Sequence, residues 1–171
     1  NGLAYTYDNA GNLTAFGSTA LTYDYANRLA STTLAGTSTR YLYDASGARA
    51  QMIDTATTTR YWGSVYHDTQ GKHKRAKHLT VNGLLIATYE RTGSATMIPL
   101  YVLTDHLGGS TIVTNNLGVA TQTLDYFPFG TTRVDQKNTT FVEPRKYIGE
   151  YADPDTSFAY LNARYYQNST G

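Results

Sequence analysis

The stretch Tyr43-Asp44-Ala45-Ser46-Gly47 returns along the chain with small changes. It recurs as Tyr7-Asp8-Asn9-Ala10-Gly11, Asp68-Thr69-Gln70-Gly71, Asp105-His106-Leu107-Gly108 and Asn115-Asn116-Leu117-Gly118. A variant, Tyr23-Asp24-Tyr25-Ala26-Asn27, ends on Asn, the residue that best tolerates positive φ after Gly. The pattern specifies a turn. The Asp or Asn side chain accepts backbone N–H groups a few residues on, and the closing Gly or Asn takes the left-handed conformation that reverses the chain. A type I turn closed by a left-handed residue is a common hairpin connection. Six such turns between Asp8 and Gly118 predict an array of hairpins.

The segments between turns suit strands. They are rich in Tyr, Thr, Val, Ile and Leu, which fit a pleated surface. Thr39-Arg40-Tyr41-Leu42-Tyr43 alternates. Leu79-Thr80-Val81, Asn82-Gly83 and Leu84 to Tyr89 spell a tight hairpin, since Asn-Gly favours the two-residue turn that matches strand twist. Leu100–Thr104, Ser110–Thr114 and Val119–Tyr126 continue the series. No window holds a 3.6-residue apolar period with caps, so little or no helix is expected. Val134 to Lys146, where Asp, Lys, Asn, Thr and Pro gather, is expected to be a long loop or irregular crossing.

Composition narrows the function. The chain has 171 residues, enough for one domain with a real core. Charged residues are 16%, against roughly 25% in an average soluble protein. The 16 tyrosines give a sheet apolar bodies with polar tips. A net charge of +1 argues against a dedicated nucleic-acid binder, which needs a concentrated basic face. The absence of cysteine removes disulfides, thiol catalysis and Cys-based zinc sites. No apolar run reaches the length of a membrane helix, and no membrane insertion is expected. The chain opens inside a repeat at Asn1-Gly2, so it is expected to be part of a longer polypeptide.

The Tyr-Asp-x-x-Gly phrase resembles the YD repeats of bacterial RHS proteins, relatives of animal teneurins and of the shell subunits of insecticidal toxin complexes. Three further segments resemble the RHS-associated core: Tyr101 to Ser110 with its Asp105-His106-Leu107-Gly108; Tyr126-Phe127-Pro128-Phe129-Gly130; and Tyr147 to Asp153 followed by Tyr160-Leu161-Asn162-Ala163-Arg164-Tyr165-Tyr166. Gln167 departs from the pattern, which usually has Asp there, as does Thr156-Ser157-Phe158 in place of Thr-Gly-Leu. The family's self-cleavage motifs have no counterpart in these residues. The resemblance implies an all-β fold, antiparallel hairpin repeats in a spirally wound sheet. It implies a single unit over 1–171, with YD repeats in 1–100 and the core motif in 101–171. The implied role is a non-enzymatic wall segment of a shell that encloses or presents a toxin or effector, from a secreted or cell-surface bacterial protein. The remainder of the same polypeptide and an enclosed toxin are the implied partners. A carbohydrate or cell-surface adhesion module on the same fold is the alternative, as is a self-assembling filament subunit.

Asp8, Gly11, Asp24, Asn27, Asp44, Gly47, Asp68, Gly71, Asp105, Gly108, Asn115 and Gly118 are then structural turn residues. No cofactor and no metal site is expected. Lys72 to His78 is the only basic run, read as a solvated loop or guarded edge strand. His73 and His78 lack a nearby carboxylate in sequence, and His106 beside Asp105 lacks a nucleophile motif. Asp153-Pro154-Asp155 reads as a turn rather than an acid pair. Asn12, Asn138 and Asn168 match glycosylation acceptors, a pattern that chance supplies easily in a Thr-rich chain. Tyr61-Trp62 are candidates for stacking on sugar rings, against the plainer reading of cross-strand packing. A truncated spiral leaves unpaired end strands, here without Pro or clustered Lys, so edge-to-edge pairing of copies is expected if nothing else covers them.

Overall fold

A computed structural model of the chain describes residues 4–153, 156 and 158–169. Fourteen strands follow one another as neighbours in a single antiparallel sheet. They are β1 (Tyr5–Tyr7), β2 (Leu13–Phe16), β3 (Thr19–Tyr23), β4 (Leu29–Leu34), β5 (Thr37–Tyr43), β6 (Arg49–Ile53), β7 (Thr58–Trp62), β8 (Tyr66–Gln70), β9 (Lys74–Val81), β10 (Leu84–Thr92), β11 (Ile98–Thr104), β12 (Ser110–Thr114), β13 (Ala120–Tyr126) and β14 (Thr132–Lys137). A short 3-10 turn at Tyr147–Gly149 leads to a small second sheet of β15 (Tyr151–Ala152), β16 (Phe158–Tyr160) and β17 (Tyr165–Gln167). The all-β hairpin array expected from the repeats is the fold observed.

The repeat carries more than a turn. Each turn of this kind is followed by a β-bulge. The register skips one residue after Tyr7↔Leu13, Tyr23↔Leu29, Tyr43↔Arg49, Thr104↔Ser110, Thr114↔Ala120 and Tyr126↔Thr132. A bulge bends its strand and increases the local right-handed twist. Repeating it hairpin after hairpin coils a sheet that would otherwise lie open.

Only one face of the sheet is covered. The segment after β14 doubles back across it, and two apolar clusters form beneath. Phe16, Leu21, Leu29, Tyr41 and Met52 pack against Phe158 and Tyr165 at one end. Leu85, Leu100, Val102 and Val113 pack against Phe141 at the other. Each fully buried side chain of this size contributes roughly 1.5–3 kcal/mol. Strand alternation leaves the opposite face open, with Leu42, Trp62, Leu79, Tyr101 and Leu103 exposed.

Three expectations need correction. Asp68 does not open a turn: it lies inside β8, and the reversal comes later, at Gly71 to His73. Its neighbours Thr69 and Gln70 continue strand pairing with β7, so the phrase Asp68–Gly71 is a strand end. The segment from Val134 to Lys146 is not all loop; its first part completes β14, paired with β13 through Leu124↔Asp135. For that reason the last edge of the large sheet is guarded after all, by Arg133, Asp135 and Lys137 on β14. The large sheet also crosses position 100 without a break, inside β11, and the architecture changes only after Lys137.

Candidate functional site

The turns stack along the two edges of the sheet as a ladder. In five of them the side-chain Oδ1 accepts two backbone N–H groups: Asp8 from Ala10 and Asn12, Asp24 from Ala26 and Arg28, Asp44 from Ser46 and Ala48, Asp105 from Leu107 and Gly109, Asn115 from Leu117 and Val119, all at 2.8–3.1 Å. The closing residues Gly11, Asn27, Gly47, Gly108 and Gly118 all have positive φ. Phe127 to Gly130 copies the backbone geometry without a side-chain acceptor. Four of the five carboxyl or amide turns lie on the edge joining odd to even strands; the Asn115 turn joins β12 to β13 on the opposite edge. Asp54, which no repeat marks, caps another reversal on that opposite edge through Ala56 and Thr57.

Successive turns are tied together. Asn12 Nδ2 donates to Asp8 Oδ2 and to Asn27 Oδ1 of the next turn, both at 2.9 Å. Arg28 donates to Asp24 and lies 4.8 Å over the Tyr43 ring of the following one. The Tyr before a turn can reach back: Tyr43 Oη donates to the Leu29 carbonyl at 2.8 Å and Tyr126 Oη to the Ser110 carbonyl at 2.9 Å. The hydrogen bond from Asn12 holds the Asp8 carboxyl below the usual range, and the Ser46 hydroxyl does the same for Asp44. At Asp24 burial acts the other way but is outweighed by the Arg28 backbone and side chain.

The covered face holds a different kind of site. Arg49 is 4% exposed, the same as Leu29, which occupies the equivalent place one repeat earlier. Its Nη1 donates to Asp153 Oδ2 at 2.6 Å. Its guanidinium carbon lies 4.4–6.0 Å from the centroids of five tyrosine rings, those of Tyr41, Tyr61, Tyr151, Tyr160 and Tyr165. Its backbone N–H donates to Tyr160 Oη at 2.8 Å. Burial disfavours the charge, and Asp153 more than restores it. The pair joins the large sheet to the small one.

A buried polar chain runs beside it. His67 Nδ1 lies 3.1 Å from His78 Nε2, His78 Nδ1 lies 3.0 Å from Thr88 Oγ1, and Thr88 Oγ1 donates to Glu143 Oε2 at 2.7 Å. With Glu143 ionised, each hydrogen must point toward it, so both imidazoles are neutral with Nδ1 protonated. Burial holds His67 down to about 4 and His78 lower still, and raises Glu143 to about 7. Glu143 also accepts the Arg145 N–H, and its own N–H donates to Gln122 Oε1. The chain ties three adjacent strands to the returning segment. Thr88, Gln122 and Glu143 have no exposed surface.

The structure separates several residues that sequence put side by side. Tyr61 faces the covered side, its ring 4.6 Å from Arg49, whereas Trp62 faces outward, 53% exposed and 5.1 Å from the Tyr66 ring. They cannot form one stacking surface. His73 sits in a turn, away from His78. The basic run is split by alternation: Lys74, Ala76 and His78 point to the covered face, Arg75 and Lys77 away from it. Among the described residues no three His, Asp or Glu side chains gather as metal ligands. No helix among them is long and apolar enough to cross a membrane, which says nothing of β-barrels. Of the Asp153-Pro154-Asp155 stretch read as a turn, positions 154 and 155 lie outside the described residues; Asp153 is the buried partner of Arg49. Arg49, His67, Gln122 and Glu143 escaped the sequence reading, although Arg49 stands where Leu13 and Leu29 stand in the first two repeats.

No curated protein matches the chain. Solved structures do. A crystal structure of TcdB2-TccC3 superposes with a TM-score of 0.83 at 18% identity, over 95% of this chain and 9% of its own. The Photorhabdus luminescens Tc holotoxin pore superposes with a TM-score of 0.81 at 18% identity, over the same shares. TcdB2-TccC3 without its hypervariable C-terminal region gives 0.76 at 17%, over 88% of this chain and 8% of that one. At such identities the likeness establishes the fold, and the chain spans about a tenth of those proteins' length. The teneurin YD-shell family model matches residues 1–171 from end to end. By that match over its whole length, the chain belongs to the teneurin YD-shell family.

Proposed function

We propose that these residues are a wall segment of a hollow shell built by a longer polypeptide, and that the segment works by structure rather than catalysis. One observation carries the reading: fourteen strands in strict sequence order, bulged at each repeated turn, form a coiling sheet covered on one face only. Such a repeat cannot bury its own face, so it needs neighbours on both sides. The shell would enclose or present another part of the polypeptide, such as a toxin or effector, in a secreted or surface-exposed bacterial protein. The family and its toxin-complex neighbours support this.

The test is made on the whole polypeptide that carries these residues. A cysteine placed on the covered face and one placed on the open face are each exposed to a bulky maleimide, alongside electron microscopy. A hollow particle that protects the first and labels the second is the expected result. Equal labelling, or an extended filament paired edge to edge, would replace the shell with a self-assembling array.

A further inference from the structure

A cavity of about 370 Å³ opens beneath the covered face, at the edge where odd strands turn into even ones. Its rim is exposed: Ser64 between β7 and β8, Leu84 at the start of β10, and Leu107 between β11 and β12. Deeper in, Leu85, Arg49, Arg145 and the rings of Tyr61, Tyr151 and Tyr160 line it, and Glu150 stands on the side of the returning segment. A concave space of this size with a few convergent polar groups suits a small molecule.

The two arginines bring donors that nothing in the fold accepts. Arg145 is 8% exposed. Its Nη2 donates to the Ser64 carbonyl at 2.6 Å, and its guanidinium carbon lies 4.9 Å from the centroid of the Tyr151 ring. Its Nε is buried without an acceptor, and among the described residues it forms no ion pair. Arg49 meets Asp153 through Nη1 only; its Nε and Nη2 are also buried without acceptors. The tyrosine rings around these groups offer a π face and no lone pair. A buried cation without a counter-charge is unfavourable, so the cavity holds an uncompensated positive charge next to spare N–H groups.

Glu150 supplies the opposite charge at a distance. Its carboxyl makes no hydrogen bond or ion pair among the described residues. Burial raises it, and the field of Arg145 pulls it partly back. A guanidinium fork matches a planar carboxylate, and Glu150 matches an ammonium. A simple carboxylate or a phosphate would fill the first place but face Glu150 as a like charge. Leu84, Leu85 and Leu107 leave an apolar path between the charged wall and the rim. We infer that this cavity binds a free α-amino acid with an apolar side chain, its carboxylate on Arg145 and Arg49, its ammonium on Glu150, and its side chain against Leu84, Leu85 and Leu107.

The test uses the whole polypeptide and isothermal titration calorimetry at neutral pH. The probes are phenylalanine and leucine, with hydrocinnamate lacking the ammonium, phenethylamine lacking the carboxylate, and inorganic phosphate. At least one of the two amino acids should bind, and the other three probes should bind about tenfold more weakly or not at all. Arg145→Gln and Glu150→Gln should each weaken the amino acid about tenfold or more, yet part on hydrocinnamate: the first weakens it further, whereas the second tightens it by removing a like charge. If Arg145→Gln disturbs folding, Leu107→Trp carries the test. Leu107 is 52% exposed in its turn, so an indole there should close the rim and abolish binding while the melting midpoint stays in place. Binding of neither amino acid at millimolar concentration overturns the inference. So does equal or tighter binding of hydrocinnamate or phosphate, or binding that Leu107→Trp leaves unchanged. None of these outcomes bears on the shell, which the labelling experiment reads separately.

Discussion

The turn ladder and the polar seam on the covered face do the same job, holding neighbouring hairpins together, by opposite means. The ladder is exposed and local. Within each turn its hydrogen bonds reach two to four residues along the chain, and water replaces any of those that is lost. The seam is dry and non-local. Arg49 meets Asp153 more than a hundred residues away, and Thr88 meets Glu143 across fifty-five. Losing one partner there leaves a charge or a dipole with no substitute. A repeat can therefore tolerate scatter in its turns, as the change from Gly to Asn at Asn27 illustrates, but not in its seam.

The largest test of that contrast is Asp153→Ala. It leaves Arg49 buried without a counter-charge and should cost about 3–5 kcal/mol in denaturant unfolding. The double variant Arg49→Leu with Asp153→Leu restores the apolar residue of the earlier repeats and should recover most of that loss. A seam that mattered no more than a surface pair would lose under about 1 kcal/mol in the single variant.

Gly130→Ala comes next. Its φ is +84°, and an added Cβ would land on the Tyr147 ring, so strain and overpacking together should cost about 2–4 kcal/mol. Gly47→Val isolates the strain alone, because the only atom near its Cβ is Arg28 Nη1, at an ordinary contact distance of 3.9 Å. The expected loss is about 1–3 kcal/mol, and an unchanged melting midpoint would contradict the left-handed turn. Asp44→Ala should cost less still, since solvent can take over its two N–H partners.

The pH dependence separates the two regions most finely. His67 and His78 have folded values below the unfolded 6.5, so the stability they lend is complete above pH 6.5 and falls on acidification toward pH 4. Glu143 works in the other direction. Raised from 4.5 to about 7, it makes the folded state gain stability as pH falls from 7 to 4.5 and so offsets part of the histidine loss. Removing the offset with Glu143→Gln should steepen the decline between pH 6.5 and 4.5, measured as the shift in urea midpoint. The turn carboxyls Asp8, Asp24 and Asp44, with lowered values, contribute above 3.8 and lose their share only as pH falls below it. Asp44→Ala should therefore leave the slope between pH 6.5 and 4.5 untouched.

The turns and strands were legible because their causes sit within a few residues of each other. Asp44 and Gly47 make their turn with nothing but Ser46 and Ala48. Asn82-Gly83 makes its hairpin with two positive φ values. The same local logic misled at Asp68, where the phrase is present but pairing with β7 and β9 holds Asp68 in a strand. It also misled at Val134 to Lys137, where a polar strand earns its place by pairing rather than by apolar pattern. The bulges could have been read from Tyr7-x5-Leu13 and Tyr23-x5-Leu29, and with them the oddity of an arginine at Arg49.

What the amino-acid sequence determined by itself is thus the repeat: where the chain reverses, which segments extend, and the family to which the pattern belongs. Tertiary structure alone decided the rest. It placed Trp62 and Tyr61 on opposite faces, split the basic run by alternation, and brought His67, His78 and Thr88 onto a carboxylate from a segment far along the chain. The physical reason is range. A turn hydrogen bond forms between neighbours whatever the remainder does, whereas a buried ion pair or imidazole chain exists only once the sheet has coiled and the returning segment has shut out water.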